Sequence, residues 1–213
     1  MTGKLAKEFL LQITIEKVIC HNTEDFIGDA FTLMGVSQSG LAKDQLEDAN
    51  RAIATDIIRA RRSGTYPLSG EDAVLFAGRV KAEDYVTVNL HALNVDSAPE
   101  AWDSKRADLT EGLCHLAKAA VNEVFRSGGA ADKETIRELS NVILRQIPNL
   151  SGAIFPGSDT PDDLGAWASG PQTADDWRDL AMKDDGLYTM PFKHSSISGS
   201  FDYDVQVSVD CPS

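Results

Sequence analysis

The chain reads as α+β, an antiparallel β-sandwich with a two-helix hairpin inserted between its early and late strands. Three observations predict this. Apolar and polar residues alternate over residues 10–20, 85–93 and 200–209, the period of half-buried strands. Between Arg106 and Pro148 the period lengthens to that of amphipathic helices. Alternation then returns, so strands are expected to open and close the chain.

Taken in order, LLQITIEKVIC (10–20) sets Leu11, Ile13 and Ile15 against Gln12, Thr14 and Glu16. A polar, acidic loop with Gly28 follows from His21 to Asp29. Residues 30–36, with Phe31, Thr32 and Leu33, predict a second strand that Ser37-Gln38-Ser39-Gly40 stops. Residues 44–62 predict an irregular or helical start and a strand afterwards. Pro67 and Gly70 predict a turn over 65–70, and 73–80 is a short apolar segment. YVTVNLHAL (85–93) turns Val86, Val88, Leu90 and Ala92 to one face, and His91 to the other or to solvent.

Leu109, Leu113, Leu116, Ala120 and Val124 form a helical stripe over 106–125, stopped by Ser127-Gly128-Gly129. Asp132 is placed to cap a second helix by accepting from the Thr135 N–H. Its stripe is Ile136, Leu139, Ile143 and Ile147, and Pro148 is expected to end it. Both stripes read as core packing. After Leu150 the chain is loop-rich until 200–209, where Phe201, Tyr203, Val205, Val207 and Val209 alternate with Asp202, Asp204, Gln206 and Ser208. This predicts a single domain over 1–213, with the sandwich at about 8–98 and 156–210 and the helical insertion at about 104–150.

The 213 residues are 42% hydrophobic, enough to bury a core. The 20 Lys+Arg against 33 Asp+Glu give a net charge of −13. Nucleic acid is disfavoured as a partner, because phosphate-backbone affinity comes from clustered Lys and Arg. An anionic membrane is disfavoured too, unless something neutralises the acid. No apolar run approaches the ~20 residues of a membrane span, and residues 1–11 lack the apolar core of a signal peptide. The three cysteines are widely spaced, with neither a zinc pattern nor a paired framework. Cys114 is expected as a small buried hydrophobe on its helix. There is no GxGxxG after a strand, no P-loop, no HExxH and no GxSxG. The four histidines are scattered, and His194 and Ser195, as strand neighbours, point to opposite faces. The enzymatic reading left is a hydrolase using paired carboxylates such as Asp162 and Asp25.

The acid gathers in three loops. One holds Glu24, Asp25 and Asp29; one Asn94 and Asp96, with Asp103 near; one Asp159, Asp162 and Asp163. Each lies at a strand end, where loops can converge on a rigid sheet. Converging carboxylates raise one another's pKa unless a cation neutralises them. Hard oxygen donors from Asp and Asn suit Ca²⁺, which takes six to eight oxygens. Trp102, Trp167 and Trp177 fall in or beside these loops; they pack the hairpin on the sandwich or, if exposed together, stack on sugar.

Laid end to end, these segments resemble C2-like β-sandwich domains. The early loop Asp25-Phe26-Ile27-Gly28-Asp29 leads into a strand, Asn94-Val95-Asp96-Ser97 follows the strand of Val86 to Leu90, and Asp162-Asp163-Leu164-Gly165 looks like the strand entry of such domains. Two differences stand out: the hairpin separates Asp96 from Asp162, and Asn94 occupies the first aspartate position. The resemblance implies Ca²⁺ held at one end of two packed sheets by Glu24, Asp25, Asp29, Asn94, Asp96, Asp159, Asp162 and Asp163. It implies a non-enzymatic module that binds a protein partner, a membrane or a glycan through calcium. The alternative is a membrane-active or toxin-type protein that exposes its amphipathic hairpin.

Overall fold

The computed structural model describes residues 8–25, 28–48, 50–96, 99–125, 130–157, 160–195 and 200–212. These hold ten strands and four α-helices: β1 (Phe9–Asn22), β2 (Asp29–Gly40), α1 (Lys43–Leu46), β3 (Arg51–Ala54), β4 (Ile58–Ala60), β5 (Gly64–Pro67), β6 (Val74–Val80), β7 (Tyr85–Asn94), α2 (Pro99–Val124), α3 (Lys133–Ile154), β8 (Asp162–Ala168), α4 (Ala174–Ala181), β9 (Leu187–Ser195) and β10 (Ser200–Asp210). The fold is α+β, with two antiparallel five-stranded sheets and the helical pair between β7 and β8.

The first sheet runs β5–β1–β10–β9, with β6 also on β1; the second runs β3–β2–β7–β8, with β4 also on β2. The inward residues of both sheets form one core, including Leu11, Ile13, Phe31, Leu33, Val86, Val88, Tyr203 and Val205. The outer face of the second sheet carries a separate core, where Met34, Val36 and Leu93 meet Leu109, Leu113, Ile136, Leu139 and Ile143 of α2 and α3. The layers are therefore sheet, sheet and helices. Burial follows: β10 alternates strictly, being covered on one face, whereas β7 is buried at every position. Each fully buried aliphatic side chain contributes about 1.5–3 kcal/mol, which is why the sandwich and the hairpin both hold without disulfides.

Several expectations change. β2 does not stop at Ser37; it runs on through Gly40, paired with β7 to Tyr85. The polar residues there are buried: Gln38 Nε2 donates to the Leu46 carbonyl of α1, whereas the Ser37 hydroxyl has no partner among the described residues. Residues 64–67 form strand β5 on the first sheet rather than a turn. The loop-rich tract holds β8, α4 and β9, and α4 is fixed by a capping box between Thr173 and Asp176. Asp132 caps α3 as expected, accepting from Thr135 N–H at 2.8 Å. Pro148 does not end α3, which continues to Ile154. The Ser127-Gly128-Gly129 stop lies outside the described residues. Cys114 is exposed, because α2 turns Leu113 and Ala117 inward instead. Trp102 and Trp177 are wholly buried and donate to the carbonyls of Thr55 and Val86, each at 3.0 Å. Trp167 is partly buried, so the three tryptophans form no common exposed face.

Candidate metal centre

The site is built around the loop that joins the two sheets. β1 ends at Asn22 and β2 begins at Asp29, and the chain between must reverse across the end of the sandwich. Gly28 makes this possible. Its φ is +114°, and a Cβ there would meet the Ala60 carbonyl oxygen at 2.4 Å. Asp29 is 2% exposed and organises the turn: its carboxylate accepts from the N–H groups of Glu24 and Asp25, each at 3.0 Å, and from the Tyr203 hydroxyl. Burial and that hydrogen bond push the Tyr203 phenol far up, so it stays a donor.

Asp96 arrives from the segment after β7. The carboxylate oxygens of Asp25, Asp29 and Asp96 all lie within 4.8 Å of one another. Asn94, 2% exposed, braces them from beneath: its Oδ1 accepts from Ala30 N–H at 2.9 Å and its amide faces Glu24 and Asp96. Glu24 is pushed above the ordinary carboxylate value first by burial, then by the charges of Asp162, Asp29 and Asp25. Asp96 is pushed up too, by burial first and by Asp29 and Asp25, against the opposing hydrogen bond from Asn94. Among the described residues the one ion pair into this group is Arg59 Nη1 to Asp96 Oδ1 at 3.6 Å, open to solvent on both sides. Arg59 also lines an open depression with Asp56, Ile57, Glu100 and Asp103, so Asp103 belongs there.

The third loop divides. Asp162 opens β8 opposite Asn94 and is exposed, with its charge felt at Glu24. Asp163 is the next residue of the strand and turns the other way. It accepts from Gly165 N–H at 2.8 Å and sits 3.2 Å from His91 Nδ1. Burial raises its pKa, but these hydrogen bonds outweigh it and hold the carboxyl below the usual range. Asp159 lies outside the described residues. The gathered donors are thus Asp25, Asp29 and Asp96, with Glu24, Asn94 and Asp162 beside them. Tyr203 was missed by sequence reading, though its inward place in the β10 alternation was a signal that it faces the loop.

A second acidic group involves His21, Asp202 and Asp204 on β1 and β10. His21 Nε2 is 2.9 Å from Asp204 Oδ2, and Lys193 Nζ is 3.1 Å from Asp202 and 3.7 Å from Asp204.

No protein-family model, no curated protein and no solved structure matches the chain.

Proposed function

We propose that the protein is a non-enzymatic calcium-binding module, C2-like in gathering acidic loops at one end of two packed sheets, and that the bound ion readies that end for a partner. The observation that carries this reading is the meeting of Asp25, Asp29 and Asp96 within 4.8 Å. The donor set is all hard oxygen, as Ca²⁺ prefers, and three carboxylates, with Glu24 nearby and waters, reach its six to eight ligands. The raised pKa values of Glu24 and Asp96 reflect burial first and then the charges of their acidic neighbours, and a divalent cation would favour the ionised forms.

Calcium would supply charge neutralisation; this chain's residues supply the frame. Asp29 fixes the turn through three donors, Asn94 orients Glu24 and Asp96, and Gly28 seats the loop against Ala60. The module reading is favoured over a membrane-active hairpin because the stripes of α2 and α3 are spent on the second sheet, and no described helix is long and apolar enough to cross a membrane. A sugar-stacking site is disfavoured by the burial of Trp102 and Trp177, which leaves a protein or a neutralised membrane surface as the favoured partner. The carboxylate-hydrolase reading pairs Asp162 with Asp25, and it is disfavoured because both are exposed to solvent and Asp25 meets Asp29 and Asp96 rather than Asp162.

The test is a thermal melt of chelator-stripped protein with and without millimolar Ca²⁺, beside calorimetric titration of the ion. The melting temperature is expected to rise with Ca²⁺ and to lose that rise in Asp25→Asn and Asp96→Asn. Identical melts, with metal removal verified by elemental analysis, would sink the proposal.

A further inference from the structure

Helix α3 carries Pro148 in its interior, and a histidine from the sheet beneath supplies the donor that the proline lacks. In an α-helix the carbonyl of one residue accepts from the N–H four residues later. The carbonyl of Leu144 would accept from residue 148, and Pro148 has no N–H. That carbonyl instead lies 2.8 Å from Nε2 of His91. His91 belongs to β7 and is 4% exposed. Because a carbonyl only accepts, Nε2 must carry a hydrogen.

The other ring nitrogen settles the charge. Nδ1 is 3.2 Å from Asp163 Oδ1, an oxygen that already accepts from Gly165 N–H. A neutral ring with its hydrogen on Nε2 would set a bare nitrogen lone pair against a carboxylate oxygen. With a hydrogen on Nδ1 as well, every polar atom of the group is paired. The geometry points to His91 as a clamp, an imidazolium that ties the Leu144 carbonyl of α3 to Asp163 of β8 and so pins the helical hairpin to the second sheet.

Little else at this seam can replace it. Across from His91, β2 presents Met34, which is uncharged. The nearest charged residues of α3, namely Arg137, Glu138 and Arg145, are exposed, and Asp162 on β8 is exposed as well. On the same face of β7, Asn89 is buried with both amide atoms unpartnered among the described residues, and so is the hydroxyl of Ser140 on α3. The two belong together: α3 starts beside Leu41, to which Ala131 N–H donates, and hence near the β2 end that pairs with Tyr85. α3 and β7 therefore run the same way. Two residues back from His91 and four back from Leu144 are similar distances along strand and helix. The neighbouring polar pair thus adds no hydrogen bond of its own.

The experiment is nuclear magnetic resonance on the full chain, run both in chelator and in Ca²⁺, so that it stands apart from the metal reading. Both His91 ring nitrogens are expected to carry protons in the folded chain. In H91F, at the same pH and after correction for intrinsic rates, exchange of α3 amides beyond Leu144 is expected to rise about tenfold, the worth of a hydrogen bond to a charged group. P148A restores the N–H that Leu144 lacks, so H91F should accelerate exchange less in that background than in the native chain. One bare ring nitrogen in the folded chain, or α3 exchange unchanged by H91F, overturns the clamp. An H91F effect of equal size with Ala at 148 overturns the role assigned to Pro148.

Discussion

Two acidic groups serve as each other's control. Asp25, Asp29 and Asp96 meet from two loops, with Glu24 beside them and one solvent-open arginine nearby. Asp202 and Asp204 stand two residues apart on β10, with His21 and Lys193 within ion-pair distance. The first group is held together by backbone N–H donors and Tyr203, which fix its geometry without cancelling its charge. The second carries its own cation, Lys193, with His21 hydrogen-bonded beside it. Proximity of carboxylates is therefore a poor guide to a metal by itself; what separates the two is whether the protein has already supplied the positive charge.

The largest contrast should come from Asp29→Ala against Asp202→Ala. Loss of the Asp29 carboxylate strands the buried Tyr203 hydroxyl and two part-buried backbone N–H groups, at a cost of about 3 kcal/mol. Asp202 is 36% exposed, and its loss should cost about 1 kcal/mol or less. Urea denaturation with unchanged slopes measures both. Equal losses would mean that the turn is not held by Asp29.

Next comes the response to the ion. At a Ca²⁺ concentration a hundredfold above Kd, the native protein should gain about 2.7 kcal/mol. D25N and D96N should abolish that gain, whereas D202N and D204N should leave it intact. Loss of the response in the second pair would move the ion to β10 and undo the comparison.

The same contrast explains what the sequence could reveal. β1 and β10 were legible because one face meets water and alternation survives. The run-on of β2 through Ser37, Gln38 and Ser39 was hidden because both faces of that sheet are covered, one by the other sheet and one by helices, so polar residues there look like a stop. Pro148 misled for a related reason: the donor replacing its amide, His91, is 57 residues away by number, 148 against 91. β8 was obscured by Asp162, Asp163 and Gly165. The acidic loops were visible as composition, but their division was not. Which of Asp162 and Asp163 faces Glu24 depends on strand register, and that is set by β7.

A smaller effect should appear with pH. In chelator, Glu24 and Asp96 have folded pKa values above their ordinary 4.5 and 3.8. Their charged forms are disfavoured in the fold, so their penalty is full above the raised values. It fades as pH falls through them toward the ordinary ones. Asp163 and Asp176 are shifted the other way; their contribution is present above 3.8 and lost as pH falls through the lowered values. Metal-free protein should therefore gain stability on mild acidification and lose it below about pH 3.8. Saturating Ca²⁺ should abolish the gain, because the ion already relieves the repulsion. A gain that persists in Ca²⁺ would locate the strained carboxylates away from the ion.

The smallest effect is the sharpest test of the comparison. Lys193 is exposed, and hydrogen bonding to Asp202 with the charge of Asp204 pushes its pKa up. Lys193→Met removes that cation and leaves Asp202 and Asp204 facing His21 alone. Stability should change little, since exposed ion pairs contribute little. The β10 group should nevertheless acquire a weak Ca²⁺ response, seen as a second and looser phase in calorimetric titration that D202N then removes. A Lys193→Met protein with a single binding phase would show that neutralising charge is not what distinguishes the groups. The decisive feature would then be the loop geometry set by Asp29 and Gly28, which a flat pair of strands cannot reproduce.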